Sequence, residues 1–327
     1  MEKMQRAKRI AVVIPCYKVT NHVLDVIKKI GPEVSAIYAV DDACPDGSGA
    51  LIHAKCTDKR VHVLWNDVNK GVGGAVVAGY RAALDAGCDI LVKIDGDGQM
   101  DPSVLQRFVQ PILNGQADYT KGNRFFDLES VRAMPAIRLF GNAVLSFITK
   151  FSSGYYQIFD PTNGYTALSA SAARLLQLGK ISGRYFFESD ILFRLNTIGA
   201  VVIDVPHEAA YSDEISGLRI KQILLPFLAG HGRNFFKRII YNYFLRNFSI
   251  ASIELLLGLS MFFFGVAFGG LKWHEASSMV HFASSGTVML SALPVILGVQ
   301  FLLSFLHYDM ASTPRRSLTQ LFDWEGN

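Results

Sequence analysis

Short apolar runs alternate with longer stretches of mixed polarity through the first 215 residues. The runs IAVVIP (10–15), VSAIYAVDD (34–42), VHVLW (61–65), DILVKID (89–95) and ADYTKG (117–122) predict strands. Between them the spacing predicts helices around 20–30, 47–56, 71–87 and 102–114. Alternation of this kind builds an α/β domain, with a mostly parallel sheet flanked by helices. Ligands of such sheets bind beyond the carboxyl ends of the strands. Polar residues gather at those ends: Pro15 and Tyr17, then Asp41 and Asp42, then Asn66 and Asn69, then Asp95 and Asp97.

The pattern changes near residue 215. Two long apolar runs follow, about 249–271 and 286–306; the second carries no charge and the first only Glu254. At 1.5 Å per residue each reaches roughly 30 Å, enough to cross a bilayer core. The segment RNFFKRIIYNYFLR (233–246) sets Phe235, Phe236, Ile239, Ile240, Tyr243 and Phe244 at helical spacing among basic residues, the pattern of a helix lying against anionic lipid. Arg219, Lys221, Arg233, Lys237, Arg238 and Arg246 precede the first run, Arg315 and Arg316 follow the second, and only Lys272 lies between. That bias places both termini in the cytoplasm and the protein in the inner membrane as a multi-pass protein. The expected division is a catalytic domain over 1–215, juxtamembrane amphipathic helices over 216–247, a two-helix hairpin over 248–307 and a cytoplasmic tail over 308–327.

Composition narrows the picture. Half of the 327 residues are hydrophobic, 18% are charged and the net charge is +4, which argues against a nucleic-acid partner. The four cysteines lie in the first hundred residues without a CxxC pair, as in a reduced, cytosolic domain. The apolar run near the N-terminus stops at Pro15, too short for a signal peptide.

The chemistry concentrates in VKIDGDGQMDP (92–102). Counted from Asp95, the sixth position is Met100, where a calcium loop of the EF-hand type needs Gly. Asp101 before Pro102 reads as a helix N-cap. Asp95 and Asp97 repel each other unless a cation intervenes, and Mg²⁺ or Mn²⁺ shared with substrate phosphates is a common solution, with Gln99 as a neutral oxygen. NKGVGGAVVAGYRAAL (69–84) lacks the Gly-Lys-Ser/Thr of a Walker motif and has Val76 where a dinucleotide fingerprint wants Gly; its glycines suit close packing on the sheet or a nucleotide.

VVIPCY, VDDACPDGS, NKGVGGAVVAGYRAAL, DGDGQMDP and GNRF resemble, in this order, the family 2 glycosyltransferases of GT-A fold. DPTNGYTALS (160–169), FFESDILFRL (186–195) and the two terminal apolar runs extend the resemblance to the polyprenyl-phosphate glycosyltransferases, dolichol-phosphate mannosyltransferases among them. The resemblance implies metal-dependent, inverting transfer of a hexose from a nucleotide sugar, UDP-glucose-like or GDP-mannose-like, to a membrane polyprenyl phosphate. It implies that Pro15, Tyr17, Asp42, Asp46, Asn69, Lys70, Asp95 and Gly96 bind the nucleotide, and that Asp95, Asp97 and Gln99 hold Mg²⁺ or Mn²⁺. Arg124 would face phosphate charge, and Asp160 and Asn163 would border sugar and acceptor, making Asp95, Asp97, Arg124 and Asp160 the catalytic set.

The sequence departs from these relatives at Lys18-Val19, where Asn-Glu is frequent, and at Cys44, where Ser is usual. Arg219 and Lys221 are candidates for a basic pair that closes the site, or else part of a basic skirt facing the membrane. A homo-oligomer, a downstream flippase and a lipid-linked-sugar transferase are further partners under this reading. Two rivals remain at this stage: a processive or other family 2 polysaccharide or glycolipid synthase, although no Gln-x-x-Arg-Trp is present, and a non-catalytic nucleotide-sugar-binding membrane protein.

Overall fold

The computed structural model describes residues 7–126, 136–207, 220–279 and 282–323. The chain divides into two compact units, one formed by Met1–Phe236 together with Pro314–Asn327, the other by Lys237–Thr313.

The first unit is built on a seven-stranded sheet of order β3-β2-β1-β4-β6-β5-β7. Its strands are β1 (Ile10–Cys16), β2 (Val34–Asp41), β3 (Val61–Trp65), β4 (Ile90–Lys93), β5 (Tyr119–Asn123), β6 (Thr166–Ser169) and β7 (Val202–Pro206). The pairings of β1 with β2 and β4, β2 with β3, and β5 with β7 are parallel; β6 runs antiparallel to both its neighbours. Side chains alternate across β1: Ala11 and Val13 enter one core, Ile10, Val12 and Ile14 the other. A strand covered on both faces must be apolar at every position, which explains the unbroken run in the sequence.

Helices α1 (Val23–Lys29), α2 (Ser48–Lys55), α3 (Gly71–Asp85) and α4 (Leu105–Leu113) lie close to their expected spans. Asp101 caps a short 3₁₀ turn, Pro102–Val104, by accepting from the Ser103 amide, and this turn leads into α4. Midway along α3 the helix packs on the sheet, where a Cβ at Gly79 would meet Val13 Cγ1 at 2.3 Å, while at its glycine-rich start a Cβ at Gly73 would meet the Ser182 carbonyl at 2.3 Å. Farther along come α5 (Ala136–Ser153), α6 (Ala170–Leu175) and α7 (Phe187–Ile198).

The unit is completed by residues that follow the apolar hairpin in sequence. The helix Leu318–Asp323 starts on the buried Asp118 carboxylate, which accepts from the amides of Leu318 (2.9 Å), Thr319 (3.1 Å) and Val201 (2.9 Å). Ser317 Oγ donates to the Gly115 carbonyl at 2.6 Å, and Leu318 joins the core. Of the segment 308–327, expected as a cytoplasmic C-terminal tail, the residues from Pro314 onward belong to the first unit.

The second unit contains two long helices, Ile250–Met279 and Ser285–Ala311, each long and apolar enough to cross a membrane. Both extend beyond the apolar runs that predicted them. The charge inside the first is met from the second: Ser304 Oγ donates to Glu254 Oε1 at 2.7 Å. The segment expected as an interfacial helix is exposed at Phe236 and Ile240 but turns other residues inward. A helix runs from Ile220 to Ile240 and continues as a wider turn over Tyr241–Arg246. Within the second unit Arg238, Ile239 and Tyr243 are buried. Arg238 meets Asp309 through two bonds of 2.6 and 2.8 Å, and Tyr243 Oη donates to the same carboxylate at 2.6 Å. The periodicity suggested a single lipid-facing stripe because a sequence does not reveal that an acid seventy residues away claims one of its arginines.

Replacing Asp118 by Ala should strand three amide donors, two of them buried. Leaving such groups unmet costs on the order of 3 kcal/mol, or roughly 10 °C of Tm for a unit of this size. A thermal unfolding curve of the variant that overlays the wild type would refute this role for Asp118.

Candidate active site

The carboxyl ends of β1 to β4 share one edge, and most of the predicted residues collect there. Asp41 and Asp42 follow one another but serve two helix starts. Asp41 accepts from the amides of Cys44 (2.8 Å) and Gly49 (2.6 Å). Asp42 accepts from those of Lys70 (2.9 Å) and Gly71 (2.7 Å) and from Asn66 Nδ2 (2.8 Å). Asp42 therefore fixes the entry to α3. Asn69 Nδ2 donates to the Asp42 carbonyl at 3.3 Å, and Lys70 Nζ to Asn66 Oδ1 at 3.3 Å. Tyr17 and Asp46 are exposed, and Pro15 half-buried, on the same edge. The two departures at the first loops meet each other: the Lys18 amide donates to Cys44 Sγ at 3.1 Å, and Lys18 and Ala43 both take left-handed backbone.

Asp95, Gly96 and Asp97 lie just beyond β4, with both carboxylates partly exposed. Asp97 Oδ1 accepts from the Gln99 amide at 3.0 Å, closing a tight turn that orients the side chain. Among the described residues, no three His, Cys, Asp or Glu side chains converge as a metal site. Two partly exposed carboxylates nevertheless form the donor set a hard divalent cation uses when substrate phosphates supply the rest.

A second cluster stands beside the first. Arg124, at the end of β5, grips the buried Asp160 through Nε (2.7 Å) and Nη2 (3.1 Å). Asn163 Nδ2 reaches the same carboxylate at 3.3 Å. Burial alone would raise the Asp160 pKa; the Arg124 guanidinium and Lys121 outweigh it and hold it below the ordinary carboxyl value. Arg219 lies outside the described residues, and of Lys221 only the backbone, in the first turn of the helix Ile220–Ile240, is described.

Four ionisable residues near these clusters carry no role in the sequence reading. Lys93 on β4 and Lys121 on β5 are both fully buried. Lys93 Nζ lies 2.8 Å from Asp95 Oδ1 and 3.6 Å from Glu188 Oε1 in the first turn of α7. Burial pulls its pKa down, but these two carboxylates outweigh that and keep it above the ordinary lysine value. Lys121 donates to the Asn163 carbonyl, and burial lowers its pKa to about 8. Asp204 on β7 accepts from the Phe159 amide (2.9 Å) and Asn123 Nδ2 (3.1 Å). A signal for the lysines was present: a charge inside an otherwise apolar strand is costly unless it is paired.

Residues 11–176 match the family described as Glycosyl transferase family 2. Over 234 residues the chain is 29% identical to the UDP-N-acetylglucosamine–dolichyl-phosphate N-acetylglucosaminyltransferase of Methanococcus voltae, covering 67% of this chain and 92% of the relative. It is 32% identical over 203 residues to the undecaprenyl-phosphate mannosyltransferase of Micrococcus luteus, covering 61% and 82%. The fold resembles glucosyl-3-phosphoglycerate synthase from Mycobacterium tuberculosis, solved with Mn²⁺, UDP-glucose and phosphoglyceric acid. That match has a TM-score of 0.53 at 17% identity and covers 71% of this chain and 79% of the other. The sheet with its flanking helices is the expected GT-A architecture.

Burial raises the Asp204 pKa to about 6 from the ordinary 3.8, so folding takes up a proton between those values. Stability from this group is therefore present at low pH and is lost as pH rises through about 6. Asp204→Asn should raise Tm relative to wild type at neutral pH, and the gain should shrink as pH falls toward about 4. A Tm difference that stays constant across that range would contradict the assignment.

Proposed function

The chain belongs to glycosyl transferase family 2, and from that membership we propose that it transfers a hexose from a nucleoside-diphosphate sugar to a polyprenyl phosphate in a membrane. The observation that carries this reading is the adjacency of two acidic and basic clusters, Asp95 with Asp97 and Arg124 with Asp160, on a chain that also bears two bilayer-length helices. The relatives support it, since two of them are named for transfer to dolichyl or undecaprenyl phosphate.

A hydroxyl acceptor needs a base to become a nucleophile. A phosphate monoester, with a second pKa near 6, is already anionic at neutral pH. The site's task is then to bring two anions together and to stabilise the departing nucleoside diphosphate. We assign Pro15, Tyr17, Asp46, Asn69 and Lys70 to the nucleotide, with Asp42 holding the loop that carries the last two. Asp95 and Asp97, with Gln99, are assigned to Mg²⁺ or Mn²⁺, which when bound would neutralise charge on the diphosphate. Arg124, fixed by its two hydrogen bonds to Asp160, would offer a guanidinium in one orientation to phosphate, and Asn163 would border the sugar. Single displacement in such a site inverts the anomeric carbon.

The apolar hairpin would hold the unit where its acceptor resides. Both ends of the hairpin connect to the same compact unit, which favours two crossings with both ends on the catalytic side. The basic residues flanking the runs suggest that this side is the cytoplasm.

Purified protein in vesicles containing undecaprenyl phosphate should convert labelled GDP-mannose or UDP-glucose into a lipid-extractable product. Asp97→Ala should reduce that transfer by about 10²-fold or more while leaving the protein folded. More than about a tenth of wild-type activity in the variant would contradict the metal role, because losing one transition-state contact costs more than that.

The topology has its own test. A cysteine placed at Ser284, between the two apolar helices, should react with a membrane-impermeant thiol reagent added outside the cell. One placed at the exposed Arg315 should not. Equal labelling of the two would overturn the hairpin topology.

A further inference from the structure

Lys93 and Lys121 occupy one row of the sheet. Thr166 on the antiparallel β6 pairs with Lys93 on one side and with Lys121 on the other. The two ammonium groups reach consecutive carbonyls of a single turn: Lys93 Nζ donates to Gly164 O at 3.1 Å, and Lys121 Nζ to Asn163 O. That turn begins at Asp160, the partner of Arg124. Lys93 alone also reaches the other cluster, through Asp95 Oδ1 at 2.8 Å. The fit around it is close: a Cβ at Gly164 would stand 2.5 Å from both Lys93 Nζ and Asp95 Oδ2. A side chain at this position would have to displace the ammonium or the carboxylate.

A buried ammonium with a carboxylate at contact distance is held in place by the cost of separating them. Asp95 follows β4 by only two residues, so its carboxylate would otherwise be free to turn toward solvent. Lys93 restricts one oxygen and thereby sets the direction of the other. Groups that orient a metal-binding side chain in this way typically change metal affinity by 10- to 100-fold when removed.

We propose that Lys93 is a positioning residue for the divalent-cation site, holding the Asp95 carboxylate in its binding orientation and fastening it to the turn that carries Asp160 and Asn163. Lys121 secures the same turn without reaching Asp95, so its influence falls on the Asp160 side. The inference rests on the assignment of Asp95 as a metal carboxylate.

The test measures Mn²⁺ binding to the full chain in detergent by electron paramagnetic resonance, with UDP or GDP present and no sugar transfer taking place. Lys93→Met should weaken Mn²⁺ binding by about tenfold or more. Lys121→Met should leave Mn²⁺ affinity unchanged and lower the transfer rate. Equal weakening in both variants would mean that the turn is merely loosened, and would overturn the proposal. Unchanged or tighter binding in Lys93→Met would also overturn it. Wild-type protein that takes up no Mn²⁺ with either nucleotide would sink both this inference and the metal assignment beneath it, whereas wild-type uptake with an unaffected Lys93→Met would sink this inference alone. If Lys93→Met does not accumulate folded, Lys93→Gln keeps a donor for Gly164 while removing the charge, and the same weakening is expected of it.

Discussion

A charge inside a sheet has to be answered by charge, and that constraint organises the centre of this protein. Two lysines stand in the interior on strands that flank β6. Their ammonium groups cannot be left unpaired without a desolvation cost of several kcal/mol each. Lys93 finds Asp95 and Glu188, Lys121 lies among Glu188, Asp160 and Asp204, and Arg124 closes on Asp160. Asp95 and Asp160 therefore each have a counter-charge before any substrate arrives. The antiparallel strand is what makes this arrangement reachable, because it brings the turn before Thr166 to the edge where β4 ends.

Much of this was legible in the residues. Strand and helix positions followed from the alternation of apolar runs, since a parallel sheet covered on both faces leaves little choice of residue at β1. Asp101 declared itself as a cap through Pro102. The acidic pair at 95 and 97 stood out because two carboxylates at a strand end are hard to explain otherwise. What a sequence does not display is pairing across distance. Lys93 and Lys121 sit in runs that read as strand, and only the register with Thr166 shows that they share a row. Arg238 looked like one basic residue among several until its partner Asp309, on another helix, came into view. Periodicity reports which face of an element is apolar; it does not report which distant acid will neutralise a base.

The same distinction separates the roles of neighbouring acids. Asp41 and Asp42 are adjacent, nearly fully buried and alike in sequence, yet their oxygens are taken up by backbone amides at two helix starts. Asp95 and Asp97 end a strand in a similar way but remain partly open to solvent. A short acidic motif therefore acquires its chemistry from what the following loop offers. Several folded-back amides that bury a carboxylate turn it into structure, and a loop that leaves it partly exposed preserves it for a ligand.

The return of the segment after Pro314 to the first unit bears on how the protein is made. Asp118 emerges early in synthesis, but the amides of Leu318 and Thr319 that it accepts come two hundred residues later, after both apolar helices. Until then a buried acid and the core beneath Leu318 stay incomplete. Final closure of the catalytic unit is thereby deferred until the hairpin has been translated, so a nascent chain stalled before that point carries an unfinished enzyme.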